Sequence, residues 1–418
     1  MLRRLLTSAL SLLALHARSS AATNSTAPVM CFPPDFLFGA ASSAYQVEGG
    51  FNASGRSFSI WDSFCRSDAT VPCANVAADF FHRYEQDVAL MASDGLGSFR
   101  FSVSWTRVMT WNATSQRMSP NDEGIAFYHS LIDELLSNGI EPLLTIYHWD
   151  LPLELQTELE PPGWLNSALA EHFAEYATLL FREFGHKVKY WSTINEPASF
   201  VLTGFAYGYG PPQLGNSTTN AYVAGHNVLL AHAAAVEVFR ALRDGEEHAV
   251  KRSARIGIVL NVDWGVPLDT TSDADVAAAD RKNQFHLGWF LDPITTGAYP
   301  QVMRERAGDR LPNFTDAQAA QLRGSYDVLM MNYYTSYTTT DCDSSASTVN
   351  CSALTLGWET DLGVDGSQTP DGARKASGSL ADPTSCSTSS GYPKGYGEML
   401  RFLHAHDPAA DILLTENG

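Results

Sequence analysis

Basic residues are scarce in this chain: 27 Lys and Arg against 46 Asp and Glu leave a net charge of -19 over 418 residues. Such a charge repels a nucleic acid backbone or an anionic membrane surface, and no basic stripe interrupts it, so neither is an expected partner. Acidity also favours solubility and says nothing of the fold. No cysteine pair has the C-x-x-C spacing of a redox site and no Cys/His cluster has zinc-ligand spacing, so both chemistries lose ground. Neither G-x-G-x-x-G nor G-x-x-x-x-G-K-[ST] occurs, which removes the usual nucleotide phosphate cradles.

Apolar residues are plentiful at 44%, enough to bury a large core as two ordinary domains or one large α/β barrel. The apolar run at residues 5–15 is too short for a membrane span. Preceded by Arg3 and Arg4 and followed by small residues, it has the layout of a secretory signal peptide, with a buried helix as the rival reading. The expected division is a signal over residues 1–22 and one domain over 23–418. Six N-glycosylation sequons, at Asn24, Asn52, Asn112, Asn216, Asn313 and Asn350, become usable in a secreted chain and then belong on the surface. Six cysteines agree with an oxidising compartment. Cys65 with Cys73 and Cys342 with Cys351 are the expected disulfides, because each pair closes a short loop.

Strand-like runs occur at 36–41, 98–105, 141–149, 189–196, 254–264, 327–335 and 411–418. Amphipathic stretches such as IAFYHSLIDELLSNG and LAEHFAEYATLLFREFG separate them, with a glycine at or just past the end. Continuous apolar strands imply that both sheet faces are covered, as in a parallel α/β architecture. Large polar or aromatic groups recur at the strand ends, and in a β/α barrel those ends converge on one catalytic rim. Seven strands are visible and an eighth is not. Residues 341–391, rich in Ser, Thr, Gly and Asp without periodicity, read as an elaborated rim loop, with an interdomain linker as the alternative.

The sharpest chemical feature is WSTINEPASF, in which Glu196 precedes Pro197 and is expected in an extended turn. Burial there would raise its pKa and suit a general acid, although a surface glutamate before proline is also common. Glu416, at the end of LLTENG, supplies a second carboxylate from another strand. Two carboxylates about 5 to 5.5 Å apart divide the labour of a retaining glycosidase. Arg100, inside SFRFSVSW, requires a carboxylate partner if buried, and Glu416 is the candidate; Tyr334 could donate to the same group. Trp105, Tyr147, Trp149, Phe200, Tyr207, Trp264, Trp289, Tyr333 and Tyr334 offer faces for sugar rings, with core packing the stronger reading for Trp264, Trp289 and Tyr333. Gln46, His148, Asn195 and Asn332 offer neutral hydrogen bonds to hydroxyls. A carboxylate pair supplies both nucleophile and proton, so neither metal nor cofactor is expected.

FLFGAASSAYQVEGG, SFRFSVSWTRV, LLTIYHWDLP, TINEP, GWFLDPITTGAYP, MMNYYTS, YPKG and LLTENG occur in this order over about residues 33–418. Together they make the chain resemble family 1 glycoside hydrolases, in particular the secreted eukaryotic β-glucosidases. The resemblance implies a (β/α)8 TIM barrel and retaining hydrolysis of terminal β-glucosyl residues from glucosides or small oligosaccharides. It implies Glu196 as acid/base and Glu416 as nucleophile, with Arg100 and Tyr334 supporting the latter. Gln46, His148, Trp149 and Asn195 then correspond to contacts with the non-reducing sugar and Asn332 to a pocket residue. Glutamate in TINEP, where the family's thioglucosidases place glutamine, favours an O-glycosidase.

Two departures accompany the resemblance. Family members continue beyond TENG into an eighth strand that brings a tryptophan and a Glu-Trp pair to the sugar, and CSTSSG stands where plant-like members supply a tryptophan before YPKG. The expected fold is therefore a barrel without its eighth strand and helix, with strands one and seven as unpaired edges. Its alternative function is that of an inactive or glycan-binding relative.

Overall fold

The structure, a computed structural model, describes residues 32–33, 36–355, 357–371, 374–375 and 390–417. The proposed signal segment, Asn24, Cys31 and Cys386 lie outside the described residues. The chain divides into two compact units, Met1–Leu37 and Phe38–Gly418. In the first, the rings of Phe32 and Phe36 meet with 4.3 Å between centroids. The second carries the regular structure.

Seven parallel strands form one sheet in chain order: β1 (Gly39–Ala41), β2 (Ser98–Ser102), β3 (Glu141–Tyr147), β4 (Tyr190–Asn195), β5 (Arg255–Asn261), β6 (Leu329–Tyr333) and β7 (Ile412–Asn417). The sheet curls until β1 and β7 approach each other, and no ladder joins them among the described residues. The middle strands are buried nearly throughout, as their unbroken apolar runs require, whereas all three residues of β1 are exposed and β7 is only partly covered. Gly39 permits the tight join of β1 to β2, since a Cβ there would sit 2.2 Å from the Ser98 carbonyl oxygen.

Helices α1 (Phe80–Ser93), α2 (Asp122–Ser137), α3 (Leu169–Phe184), α4 (Asn220–Asp244) and α5 (Pro393–His406) are among those connecting the strands. In α3 the apolar positions 169, 173, 176, 177, 180, 181 and 184 fall on one helical face and are all buried. Each large side chain on that face contributes roughly 1.5–3 kcal/mol by leaving water. Phe181 meets Trp191 of β4 and Phe239 of α4 edge-on, so the same face anchors the strand that leads to Glu196.

The expected strands overran their true ends. The 98–105 run leaves the sheet after Ser102, and Trp105 opens a helical turn; the 141–149 run ends at Tyr147, after which Trp149 has a left-handed φ of 73°. The 341–391 segment is more regular than its composition suggested. It contains a helix (Trp358–Leu362) and a strand (Val364–Gln368) that pairs with Ser336–Asp341, itself paired with Trp264–Pro267. A few specific contacts hold it where periodicity does not: Trp358 is buried against Trp289, and Asp361 accepts two hydrogen bonds from Arg310, each 2.6 Å, and one from Tyr222 at 2.6 Å. The structure joins Cys65 to Cys73 and Cys342 to Cys351. Asn52, Asn112, Asn216, Asn313 and Asn350 are all exposed.

Candidate active site

The carboxyl ends of the strands surround a cavity of about 410 Å³, into which Gln46, His148, Trp149, Asn195, Glu196, Tyr334 and Glu416 all project. Both glutamates stand beside breaks in the sheet. The β4–β5 register shifts between Ser192 and Asn195, and the β6–β7 register shifts between Leu414 and Glu416. Such irregularities re-aim side chains at the rims of barrels. In β7 the intervening Thr415 is buried and donates to Asn332 Oδ1 at 2.6 Å, which fixes the strand just before Glu416.

Glu196 is left-handed, with φ 46° and ψ 64°, and not extended as the proline after it suggested. Its N–H continues the ladder to the Val259 carbonyl at 2.8 Å, while its own carbonyl accepts from Ser199 N at 3.1 Å. The chain thus turns from strand to helix within one residue, a conformation costing a non-glycine residue roughly 1–2 kcal/mol. Burial, then the negative charge of Glu416, pushes the Glu196 carboxyl from its ordinary 4.5 up to about 7; hydrogen bonds from Asn332 and Ser199 and the charge of Arg100 oppose the rise.

Glu416 has the opposite electrostatic outcome. Burial would raise its pKa, but the Arg100 charge, the Tyr334 hydrogen bond and the neighbouring His148 outweigh it, and the carboxyl lies below its usual value. Arg100 Nη1 donates to Glu416 Oε1, and Tyr334 Oη donates to Oε2 at 2.6 Å. The guanidinium itself is buried and serves three partners, with Nε on Thr145 Oγ1 at 3.0 Å and Nη2 on Asn195 Oδ1 at 2.6 Å. A guanidinium paired with a carboxylate and donating from each of its three nitrogens is a form in which such a charge tolerates burial. The cavity therefore holds one carboxyl that keeps its proton near neutrality and one that has lost it, which is the condition for acid and nucleophile to coexist.

Asn195 Nδ2 contacts His148 Nε2 at 3.2 Å, and the indole N–H of Trp149 donates to the Asn195 carbonyl at 2.8 Å. Burial, reinforced by the charge of Arg100, pushes His148 down to about 3, so it is neutral at ordinary pH. Its Nδ1 has no hydrogen-bond partner among the described residues. Gln46 is exposed on the cavity wall and accepts from Ser43 Oγ at 2.5 Å. Asn332 differs from its expected place as a sugar contact. It is wholly buried behind Glu196, its amide donating to Glu196 Oε1 at 2.7 Å and Asn195 Oδ1 at 3.3 Å.

Most of the aromatics expected around the pair belong to the core. Trp105, Tyr147 and Trp289 have no exposed surface, and Trp105 stacks on Tyr176 with centroids 4.5 Å apart. Of the nine, Trp149 and Tyr334 line the cavity. The sequence reading missed Ser43, Tyr45 and Trp61, which also line it. The ring of Tyr45 lies 5.9 Å from that of Trp61. Adjacency of Tyr45 to Gln46 was the available signal; nothing local marked Trp61.

A parallel barrel with one protonated and one ionised carboxyl in a polar cavity at its strand ends defines the glycoside hydrolase class. The chain matches Glycosyl hydrolase family 1 over residues 29–418 and belongs to that family. It is 40% identical to β-glucosidase 17 of Arabidopsis thaliana over 403 residues, covering 93% of this chain and 74% of that protein. It is 44% identical to furcatin hydrolase of Viburnum furcatum over 315 residues, covering 73% and 57%. The chain thus spans between roughly half and three quarters of the length of these curated relatives. Among solved structures, a rice β-glucosidase in covalent complex with glucose superposes with a TM-score of 0.80 at 34% identity, covering 93% of this chain and 80% of that one. An aphid myrosinase also gives 0.80, at 32% identity over 93% and 81%.

Proposed function

We propose that the protein is a secreted retaining β-glucosidase that releases terminal β-D-glucosyl residues from glucosides or small oligosaccharides. The observation that carries this reading is a pair of carboxyls in one cavity with unlike partners, Glu416 held by Arg100 and Tyr334 and Glu196 buried against the neutral amide of Asn332. In the first step Glu416 attacks the anomeric carbon while Glu196 passes its proton to the departing glycosidic oxygen, so the aglycone leaves as an alcohol and a glucosyl ester forms on Glu416. In the second, Glu196, now a carboxylate, takes a proton from water as that water attacks the same carbon, and glucose leaves with Glu416 restored.

Arg100 and Tyr334 hold both oxygens of the nucleophile in place, which limits the reorganisation needed at the transition state. His148 Nδ1 is a buried polar atom that a sugar hydroxyl would satisfy, and Trp149 supplies an apolar face. The N-terminal sequence and the exposed sequons support passage through the secretory pathway, to an extracellular, cell wall or vacuolar destination. No helix of the described residues is long and apolar enough to cross a membrane.

The test is hydrolysis of a chromogenic β-glucoside by the 418-residue chain beside its E196Q and E416Q variants. Turnover in the parent, lost in both variants, is expected. A fluorinated glucoside should add its mass to the peptide containing Glu416. A folded parent chain that binds the glucoside without turning it over would replace this reading with that of a glycan-binding relative.

A further inference from the structure

Tyr209 is 68% exposed, more than any other large apolar side chain among the described residues, yet the loop that carries it is firmly built. It follows the helical turn Leu202–Tyr207, after which Gly208 takes a left-handed φ of 74°. The N–H groups of Gly208 and Gly210 both donate to the Thr203 carbonyl, at 3.0 and 3.4 Å, and that of Leu214 donates to the Gly204 carbonyl at 2.8 Å. The loop also closes on itself tightly, since a Cβ on Gly215 would sit 2.7 Å from Gly208 N. Tyr207 stacks on Tyr209 with centroids 5.7 Å apart and stands edge-on to the buried Trp358 at 6.4 Å. An aromatic face held in water on a fixed base forgoes its burial and has the character of a contact surface.

The same loop supplies an occupant. Asn216, Ser217 and Thr218 form one of the N-glycosylation sequons, and Asn216 is exposed with a left-handed φ of 59°, which asparagine tolerates. Gly215, the residue before it, touches Gly208, the residue before Tyr209, so acceptor and ring leave the same backbone contact. On its other side the sequon is fixed against the long rim loop, because a Cβ on Gly357 would meet Thr218 Cα at 3.0 Å and the Ser217 carbonyl oxygen at 3.1 Å. Ser217 Oγ accepts from the N–H groups of Thr219 at 3.2 Å and Asn220 at 3.1 Å, which ties the sequon to the start of α4.

We propose that Asn216 carries an N-glycan whose first N-acetylglucosamine rests on the open face of Tyr209, so that the Tyr209, Tyr207 and Trp358 rings brace glycan and rim loop together. The sugar is transferred from a lipid-linked pyrophosphoryl oligosaccharide: the bond from its C1 to the Asn216 amide nitrogen forms, the C1–O bond to pyrophosphate breaks, and the amide gives up one proton. C–H bonds on one face of the pyranose, partly positive, then meet the negative face of the aromatic ring. The inference rests on the secretory passage proposed above and not on the glucosidase reading, and neither Tyr209 nor Asn216 lines the catalytic cavity.

The test uses the chain secreted from a eukaryotic host, with the mass of its Asn216 peptide reporting the glycan. In proton NMR the N-acetyl methyl resonance of that sugar, assigned by its loss in T218A, should lie upfield of those on the other sequons through the ring current of Tyr209. It should return to their position in Y209A and stay displaced in Y209F. In denaturant unfolding, Y209A should lower the folding constant roughly two- to fivefold more in the glycosylated parent than in T218A, the shared loss of the Tyr207 stack cancelling in the comparison. A bare Asn216 overturns the proposal, and bare asparagines at every sequon overturn the secretory reading with it. An occupied Asn216 whose methyl resonance and unfolding are indifferent to Y209A overturns it as well. So does a Y209A variant whose one defect is weaker binding of longer oligosaccharides in an E416Q background, which would give the ring to the substrate. None of these readouts requires turnover of a glucoside.

Discussion

Glu196→Gln should stabilise the folded chain at alkaline pH while removing its proposed acid. Burial, with the charge of Glu416, holds the folded carboxyl near 7, against 4.5 for an ordinary glutamate. Between these values the folded state keeps a proton that the unfolded state has released. Stability is therefore complete below the unfolded pKa and is lost as pH rises through the folded one. An interval of about two and a half units, at about 1.4 kcal/mol each, is a loss of roughly 3 kcal/mol complete just above pH 7. Glutamine cannot ionise and escapes that loss. For a chain of this length the unfolding entropy is roughly 0.8 kcal/mol per kelvin, so the melting temperature of E196Q should exceed the parent's by about 4 °C at pH 8 and by little at pH 4.5. Thermal melts of both proteins across this range measure the gap, and titrations common to both largely cancel in the difference. A gap that does not widen with pH would refute the reasoning, because it would mean that Glu196 ionises in the folded chain as easily as in the unfolded one.

Arg100→Lys keeps a positive charge but loses the three-armed contact with Thr145, Asn195 and Glu416. It should release Glu416 from its lowered pKa, moving the acidic limb of kcat/KM upward and cutting kcat by about a hundredfold; an unmoved limb would count against Arg100 as the cause. Tyr334→Phe removes a hydrogen bond of 2.6 Å to the nucleophile, of a kind contributing about 1.5–3 kcal/mol, and labelling by a fluorinated glucoside should slow roughly ten- to a hundredfold. Glu48→Gln leaves the wholly buried Arg107 without its counter-charge and should cost about 3–5 kcal/mol in denaturant unfolding, whereas Tyr128→Phe, which loses the bond to Glu48 and takes the acceptor from the buried Ser104 N–H, should cost about 1–3 kcal/mol.

The strand order and the helices were legible because burial on both faces leaves an unbroken apolar run, and burial on one face leaves a helical stripe. LMMNY and LAEHFAEYATLLFREF record those environments directly. The two breaks in the ladder left no such record. Ser192–Asn195 and Leu414–Glu416 have ordinary strand composition, and the shift arises from how each strand meets its neighbour. For the same reason the proline rule misplaced Glu196. The rule weighs local sterics, while the Val259 bond and the Ser199 turn together hold the residue left-handed against them. The aromatic reading failed differently, since Trp105 and Trp149 both close strand-like runs but Trp105 turns into a helix and packs on Tyr176. Long polar stretches hide order more completely: the Asp361 contacts with Arg310 and Tyr222 join residues far apart in the chain, and no window of sequence contains them.

The division between the carboxyls depends on where one positive charge is spent. Both glutamates are buried enough for desolvation to be the largest influence on them, and in each case it pushes the pKa up. Arg100 opposes that push at both, but its direct bond goes to Glu416, while its Nη2 arm ends on the neutral side-chain oxygen Oδ1 of Asn195, the residue before Glu196. Asn195 thereby absorbs a guanidinium arm that would otherwise be free to pair with the acid beside it. Once Glu416 is ionised, its own negative charge raises Glu196 further, so the single choice of partner by Arg100 is amplified into two opposite shifts. On this argument Asn195 has a second importance besides any contact with a sugar hydroxyl, because it separates the charge that must stay on one carboxylate from the proton that must stay on the other.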